Sequence, residues 1–97
     1  MIVPALNFGY NEKMFYVYLI QSRKTNELYV GYTTDLEQRI LSHNRAGNIA
    51  TKHGVPWELV YVEGYRSEHD ARVRENKLKH HGNSKRFVKE RITNSLL

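Results

Sequence analysis

Five side chains of this sequence could do chemistry together: Tyr18, Tyr29, Arg39, His43 and Glu75. Two phenols beside a glycine, Gly31, make a polar site wherever their hydroxyls share one face. A guanidinium binds anions through a fork of donors. A carboxylate on the apolar side of a helix needs a cation, either an arginine such as Arg39 or a hard divalent metal. Both partners remain open for Glu75, just as Arg39 either serves the site or snorkels to water from the margin of its helix. Of the five histidines, only His43 adjoins the group, and none shows zinc-site spacing. No cysteine is present, which excludes disulfides, thiolate metal sites and cysteine nucleophiles. No P-loop, GxSxG or dinucleotide glycine fingerprint occurs.

Positioning these groups requires a hairpin and two helices. Tyr16 to Ile20 is a β-branched and aromatic run that favours a buried strand, and Leu28-Tyr29-Val30 repeats it. Thr25-Asn26 lies midway, and asparagine tolerates the left-handed backbone of a tight turn. With that pair as the turn, Ser22 is expected opposite Tyr29, Ile20 opposite Gly31 and Tyr18 opposite Thr33. Tyr18 and Tyr29 then point to the same side of the sheet. Gly31 leaves room there for a close approach. Thr34-Asp35-Leu36-Glu37 fits a capping box, so a helix is expected from Asp35. Its apolar stripe is Leu36, Ile40 and Leu41, with Arg39 between them and His43 one turn on.

The other elements follow in order. Residues 45–56 carry two glycines, an asparagine and a proline and are expected to form an ordered surface loop. A third strand runs from Trp57 to Val62, closed by Glu63-Gly64. Ser67 caps a second helix with Glu68 and Asp70 in its first turn. Ala71 and Leu78 face inward there, and Glu75 falls between them. Gly82-Asn83 break that helix. A third follows from about Ser84 to Asn94, with Phe87, Val88, Ile92 and Leu96 facing the core. The fold class expected is α/β of the α+β type, one domain over residues 15–97 with an arm over residues 1–14. Met14 could serve as a second start.

The 97 residues carry a net charge of +5. Eight of the fifteen lysines and arginines lie between Arg72 and Arg91, against Glu75 and Glu90. Such a surface suits a polyanion, although a solvated helical face has the same composition. No run approaches the roughly 18 apolar residues that span a bilayer. The first residues lack the basic and apolar regions of a signal peptide. No membrane association and a cytoplasmic location are expected.

Tyr16-Val17-Tyr18 and Tyr29-Val30-Gly31 resemble the two halves of the GIY-YIG nuclease signature. Arg39 and Glu75 stand where that family keeps its arginine and its metal-binding glutamate. The likeness extends from about Phe15 to Ile92, and the chain looks most like the small single-domain members. It implies a three-stranded antiparallel sheet flanked by helices, and a metal-dependent endonuclease acting on DNA. In that likeness Tyr18 and Tyr29 position and deprotonate a water, and Arg39 holds the scissile phosphate. Glu75 binds one Mg²⁺ or Mn²⁺, and His43 assists a tyrosine. A phenol is a weak base at its free pKa near 10 and needs nearby cations for this task. Phosphates of nucleic acid would meet Lys52, Arg72, Lys77, Lys79, Lys85 and Arg86. Three positions depart from the family pattern: Tyr16 replaces the first glycine, Tyr32 stands where some relatives have lysine, and the late asparagine has only Asn83 as a candidate. No separate recognition domain is present, so specificity falls to substrate shape or a protein partner, with the chain a monomer or weak dimer. The alternative is a nucleic-acid-binding module of the same fold that does not cut.

Overall fold

The computed structural model describes residues 13–97. Apart from Lys13 and Met14, the expected arm lies outside the described residues. The elements are β1 (Phe15–Ser22), β2 (Leu28–Thr33), α1 (Leu36–Asn44), a 3₁₀ turn (Lys52–Gly54), β3 (Trp57–Tyr65), α2 (Glu68–His80), α3 (Gly82–Arg91) and a last 3₁₀ turn (Thr93–Ser95). The sheet is antiparallel with order β2-β1-β3, so the strand built from Tyr16, Tyr18 and Ile20 is central. That explains its near-continuous burial, as both its faces are covered. The α+β class and the three-stranded sheet are as expected.

Helices cover the two faces unequally. On one side Val17, Leu19 and Val30 pack with Ala71 and Leu78 of α2, Val88 of α3 and Ile92. On the other, Tyr18, Ile20 and Trp57 pack with Leu36, and Tyr16, Tyr29, Ile40 and Leu59 close around them. Strand β3 serves both sides because its register shifts beside Leu19 and Ile20: Leu19 pairs with Tyr61, but Ile20 pairs with Leu59. The extra residue reverses the alternation, so Leu59 and Trp57 turn toward α1 while Tyr61 stays on the α2 side. This bulge also lets the strand run through Glu63-Gly64 to Tyr65, three residues past its expected end.

The hairpin register differs from expectation by two positions. Tyr18 lies opposite Gly31, Ile20 opposite Tyr29 and Gln21 opposite Leu28. Its cause is the turn. Ser22 Oγ accepts from the amides of Lys24 and Thr25, and Asn26 N donates to Ser22 O across a helical turn. Asn26 does take the left-handed conformation, at φ 64°. It closes a five-residue loop rather than a two-residue one. A slip of two keeps side chains on their original face, so Tyr18 and Tyr29 still share a side.

Four further expectations need correction. The α1 cap is Asp35, whose carboxylate accepts from Gln38 N, not Thr34. Leu41 is 42% exposed, and the fully buried residue of that turn is His43. Gly82 and Asn83 open α3 instead of separating two helices, and Phe87 is 58% exposed beside the Arg86 guanidinium. Ser67 caps α2 as expected, accepting from Asp70 N.

This packing predicts a sharp contrast between two apolar residues of the helical layer. Leu78→Ala should cost about 2–5 kcal/mol, the range for emptying a buried leucine site. Phe87→Ala should change stability by no more than about 0.5 kcal/mol, as surface substitutions usually do. Urea unfolding of the two variants measures both, and equal losses would contradict the burial pattern.

Candidate active site

Tyr18 stands at the centre of the polar group. It is 1% exposed, and its ring lies over the bare backbone of Gly31 directly across the hairpin. A Cβ on Gly31 would fall 2.2 Å from both Cζ and Oη of Tyr18. The gap anticipated at this glycine is therefore filled by the chain's own phenol. Oη lies 2.8 Å from Nε2 of His43, and Nδ1 of His43 lies 2.7 Å from Oγ1 of Thr51. Tyr29, from β2, meets the same imidazole edge-on, with ring centroids 5.4 Å apart. His43 thus touches both tyrosines.

Arg39, one turn before His43 on α1, is exposed and has no ion pair among the described residues. Its charge acts on both members of the buried pair. Burial pushes the Tyr18 phenol well above its ordinary pKa. Arg39 lowers it in part, while Tyr29 and Glu75 raise it. Burial lowers the His43 pKa below 6.5, and Arg39 lowers it further. At neutral pH the phenol keeps its proton and the imidazole is uncharged, which leaves one ring nitrogen able to accept.

Glu75 reaches this neighbourhood from the other side of the sheet. Its helix, α2, packs Ala71 and Leu78 into the opposite core, and β2 is the edge strand over which Glu75 and its partners meet the tyrosines. Lys79 Nζ is 3.1 Å from Glu75 Oε2 and 5.8 Å from the centroid of the Tyr29 ring. Arg72 lies 3.7 Å from Glu75 Oε1, and its guanidinium stacks 3.7 Å over Tyr32. The arginine suggested as partner of Glu75 was Arg39; its partners are Lys79 and Arg72. Tyr32 carries the Arg72 charge on its ring.

The remaining basic positions separate. Arg72 and Lys79 belong to the tyrosine and glutamate cluster. Lys85 and Arg86 line a groove of about 510 Å³ along α3, with Lys89. Lys77 borders two shallower hollows, one shared with His69 and Arg74, the other with Asn83 at the start of α3. Lys52 is exposed on its 3₁₀ turn. Arg74 faces inward and is bound by Glu63 through two bonds of 2.9 Å, so it is not part of a basic surface. Thr51 went unnoticed in the sequence. No local signal marks it, since its partner His43 lies eight residues away across a loop that carries Gly47 and Asn48.

Among the described residues no three histidines or carboxylates gather as a metal cluster. Glu75 is a carboxylate whose chemistry suits a hard cation. Its side chain is 15% exposed, and Mg²⁺ takes one or two carboxylates and fills the rest of its shell with water and phosphate oxygens.

The site thus joins two tyrosines, an arginine, a histidine and a partly buried glutamate on a small α+β domain. The sequence matches the GIY-YIG catalytic domain over residues 14–89, and the chain belongs to the GIY-YIG family. It is 45% identical to a UPF0213 protein of Staphylococcus haemolyticus over 66% of this chain and 78% of that one. It is 36% identical to a UPF0213 protein of Pediococcus pentosaceus over 81% of this chain and 77% of that one. The solution structure of a UPF0213 protein from Bacillus halodurans superposes with a TM-score of 0.52 at 28% identity, covering 81% of this chain and 86% of that one. No described helix is long and apolar enough to cross a membrane.

Two measurements test this geometry. Gly31→Ala must displace the Tyr18 ring, so it should break the Tyr18–His43 bond and cost about 1–3 kcal/mol of stability, as overpacking does. In the intact protein, His43 should titrate below 6.5 by NMR. Because the folded pKa is the lower one, the unfolded chain binds more protons in between. Stability should be full above about pH 6.5 and fall as pH drops toward the folded value. A His43 titrating at or above 6.5 would contradict its burial.

Proposed function

We infer that this protein is a metal-dependent endonuclease that hydrolyses phosphodiester bonds in DNA. The observation that carries this reading is the pairing of a protonated phenol with a neutral, buried imidazole beside an unpaired arginine. A phenolate is scarcely populated at neutral pH when burial has raised the phenol. The proton must instead pass on as another arrives. A water held at Tyr18 and Tyr29 gives a proton to Tyr18 Oη while Tyr18 gives its own to His43 Nε2, leaving hydroxide and an imidazolium. The hydroxide attacks phosphorus, the P–O bond to the leaving sugar oxygen breaks, that oxygen takes a proton from solvent, and His43 returns its proton to solvent through Tyr18 by the reverse of the relay. Arg39 holds the non-bridging oxygens and opposes the charge that builds up in attack. Glu75 would hold Mg²⁺ or Mn²⁺, which when bound supplies positive charge to the same phosphate.

The surroundings suit a polymer. Deeper grooves lie elsewhere, including one of about 530 Å³ between α1 and the start of β3. The site itself is bordered by Arg39, Arg72 and Lys79, cations that can meet successive phosphates. A second reading has one observation in its favour: Glu75 is already neutralised by Lys79 and Arg72, as it would be in a nucleic-acid-binding module that does not cut.

The two readings separate on Glu75 and Tyr18. The purified protein should be incubated with plasmid, branched and single-stranded substrates, with and without Mg²⁺ or Mn²⁺. Glu75→Gln should abolish metal-dependent cleavage while leaving nucleic-acid affinity unchanged or higher. Tyr18→Phe should slow cleavage about 10²- to 10⁴-fold, the range for loss of general-base assistance, without loss of binding. Binding without cleavage by the wild type on every substrate would favour the module. Equal cleavage by wild type and Glu75→Gln would assign the activity to another site.

A further inference from the structure

The imidazole that receives the Tyr18 proton can do so only in one of its two neutral forms. His43 and Thr51 are both 0% exposed, so each polar hydrogen between them needs a protein partner. Among the described residues Tyr18 Oη has one partner, His43 Nε2. If Nε2 carried the hydrogen, the Tyr18 proton would have no protein acceptor among them. With the hydrogen on Nδ1, every donor is placed. Tyr18 donates to Nε2, Nδ1–H donates to Thr51 Oγ1, and the Thr51 hydroxyl turns to Asn48 O at 3.5 Å.

Thr51 is itself held firmly. Its carbonyl accepts from Trp57 Nε1 at 2.7 Å, and its amide donates to Asn48 O. Trp57 in turn sits tight against Gly54, where a Cβ would fall 2.5 Å from Cζ2 of the indole. Asn44, next to His43, clasps both backbone groups of Trp57, at 3.0 and 2.6 Å. Helix α1, the loop and the start of β3 are thereby locked around one hydroxyl.

We propose that Thr51 is a positioning residue that fixes His43 in its Nδ1–H form, so that the Nε2 lone pair faces Tyr18 Oη. This rests on the nuclease reading for its purpose, but not for its test. Thr51→Val keeps the shape and removes the acceptor, leaving Nδ1–H buried without a partner. Thr51→Ser keeps the hydroxyl.

Long-range ¹H–¹⁵N spectra of the ring nitrogens read the tautomer directly in the folded protein. Above its titration, His43 should be protonated at Nδ1 in wild type and Thr51→Ser. In Thr51→Val each tautomer leaves one buried hydrogen without a protein acceptor, so the pure Nδ1–H pattern should be lost and an Nε2–H population should appear. If Thr51→Val does not fold, Thr51→Ala gives the same comparison without added bulk. An Nε2–H wild type, or a valine or alanine variant with the wild-type tautomer, overturns the proposal. In cleavage, Thr51→Val should be slower by about 10- to 100-fold, the loss typical when the group orienting a functional histidine is removed. Thr51→Ser should restore the rate. A wild type that cuts nothing removes the nuclease reading, while the spectra still decide the role of Thr51.

Discussion

The hydrogen bond between Tyr18 and His43 sets the conditions that the surrounding structure has to meet. Both residues are almost wholly closed to solvent, so neither polar group can be left without a partner. The phenol needs space that only a cross-strand glycine leaves, and Gly31 is there. The imidazole needs an acceptor behind it, and the loop after α1 folds back to deliver Thr51. Trp57 fixes that loop, and the β3 bulge turns Trp57 to the right face. Each of these features is local, yet they are consistent only around this one pair. Consistency of that kind is what gives a small domain a single well-defined site.

The sheet edge explains how residues from both layers meet. Among the described residues strand β2 has no neighbour beyond it, so groups from α1 on one face and α2 on the other converge along that side. A central strand would have kept them a full layer apart. The arrangement also covers part of an edge that would otherwise invite pairing with another chain. Arg72 stacked over Tyr32 and Lys79 beside Tyr29 put cations along that edge.

Much of this was legible in the sequence, for identifiable reasons. Strand chemistry, the Ser67 cap and the shared face of Tyr18 and Tyr29 follow from propensity and parity, which are local. The register does not, because Ser22 directs the turn through a side chain that pattern alone does not reveal. Leu41 and Phe87 were expected inside on helical spacing. Both are exposed, and spacing along one helix does not encode how much of a face its neighbours cover. His43 was placed at the site but not in the core, since a buried histidine depends on partners distant in sequence. Thr51 illustrates the limit most plainly: its role exists only once the loop has closed.

Two glutamates show why equal burial need not mean equal purpose. Glu63 and Glu75 are each 15% exposed, and each faces an arginine. Glu63 is gripped by the fork of Arg74 and accepts from the hydroxyls of Tyr61 and Tyr65. Burial alone would raise its pKa, but those bonds outweigh it and the pKa is lowered. Its lone pairs are committed, so an incoming cation would have to break a rigid, planar set of contacts. Glu75 instead faces a flexible ammonium at 3.1 Å and a guanidinium at 3.7 Å that is already stacked on a ring. A lysine head can swing toward phosphate at little cost, because its stem is mobile and its charge is a point rather than a fork. The first carboxylate therefore behaves as structure. The second is held loosely: under the proposed function Lys79 could leave Glu75 for a phosphate, which would free the Glu75 oxygens to hold a cation.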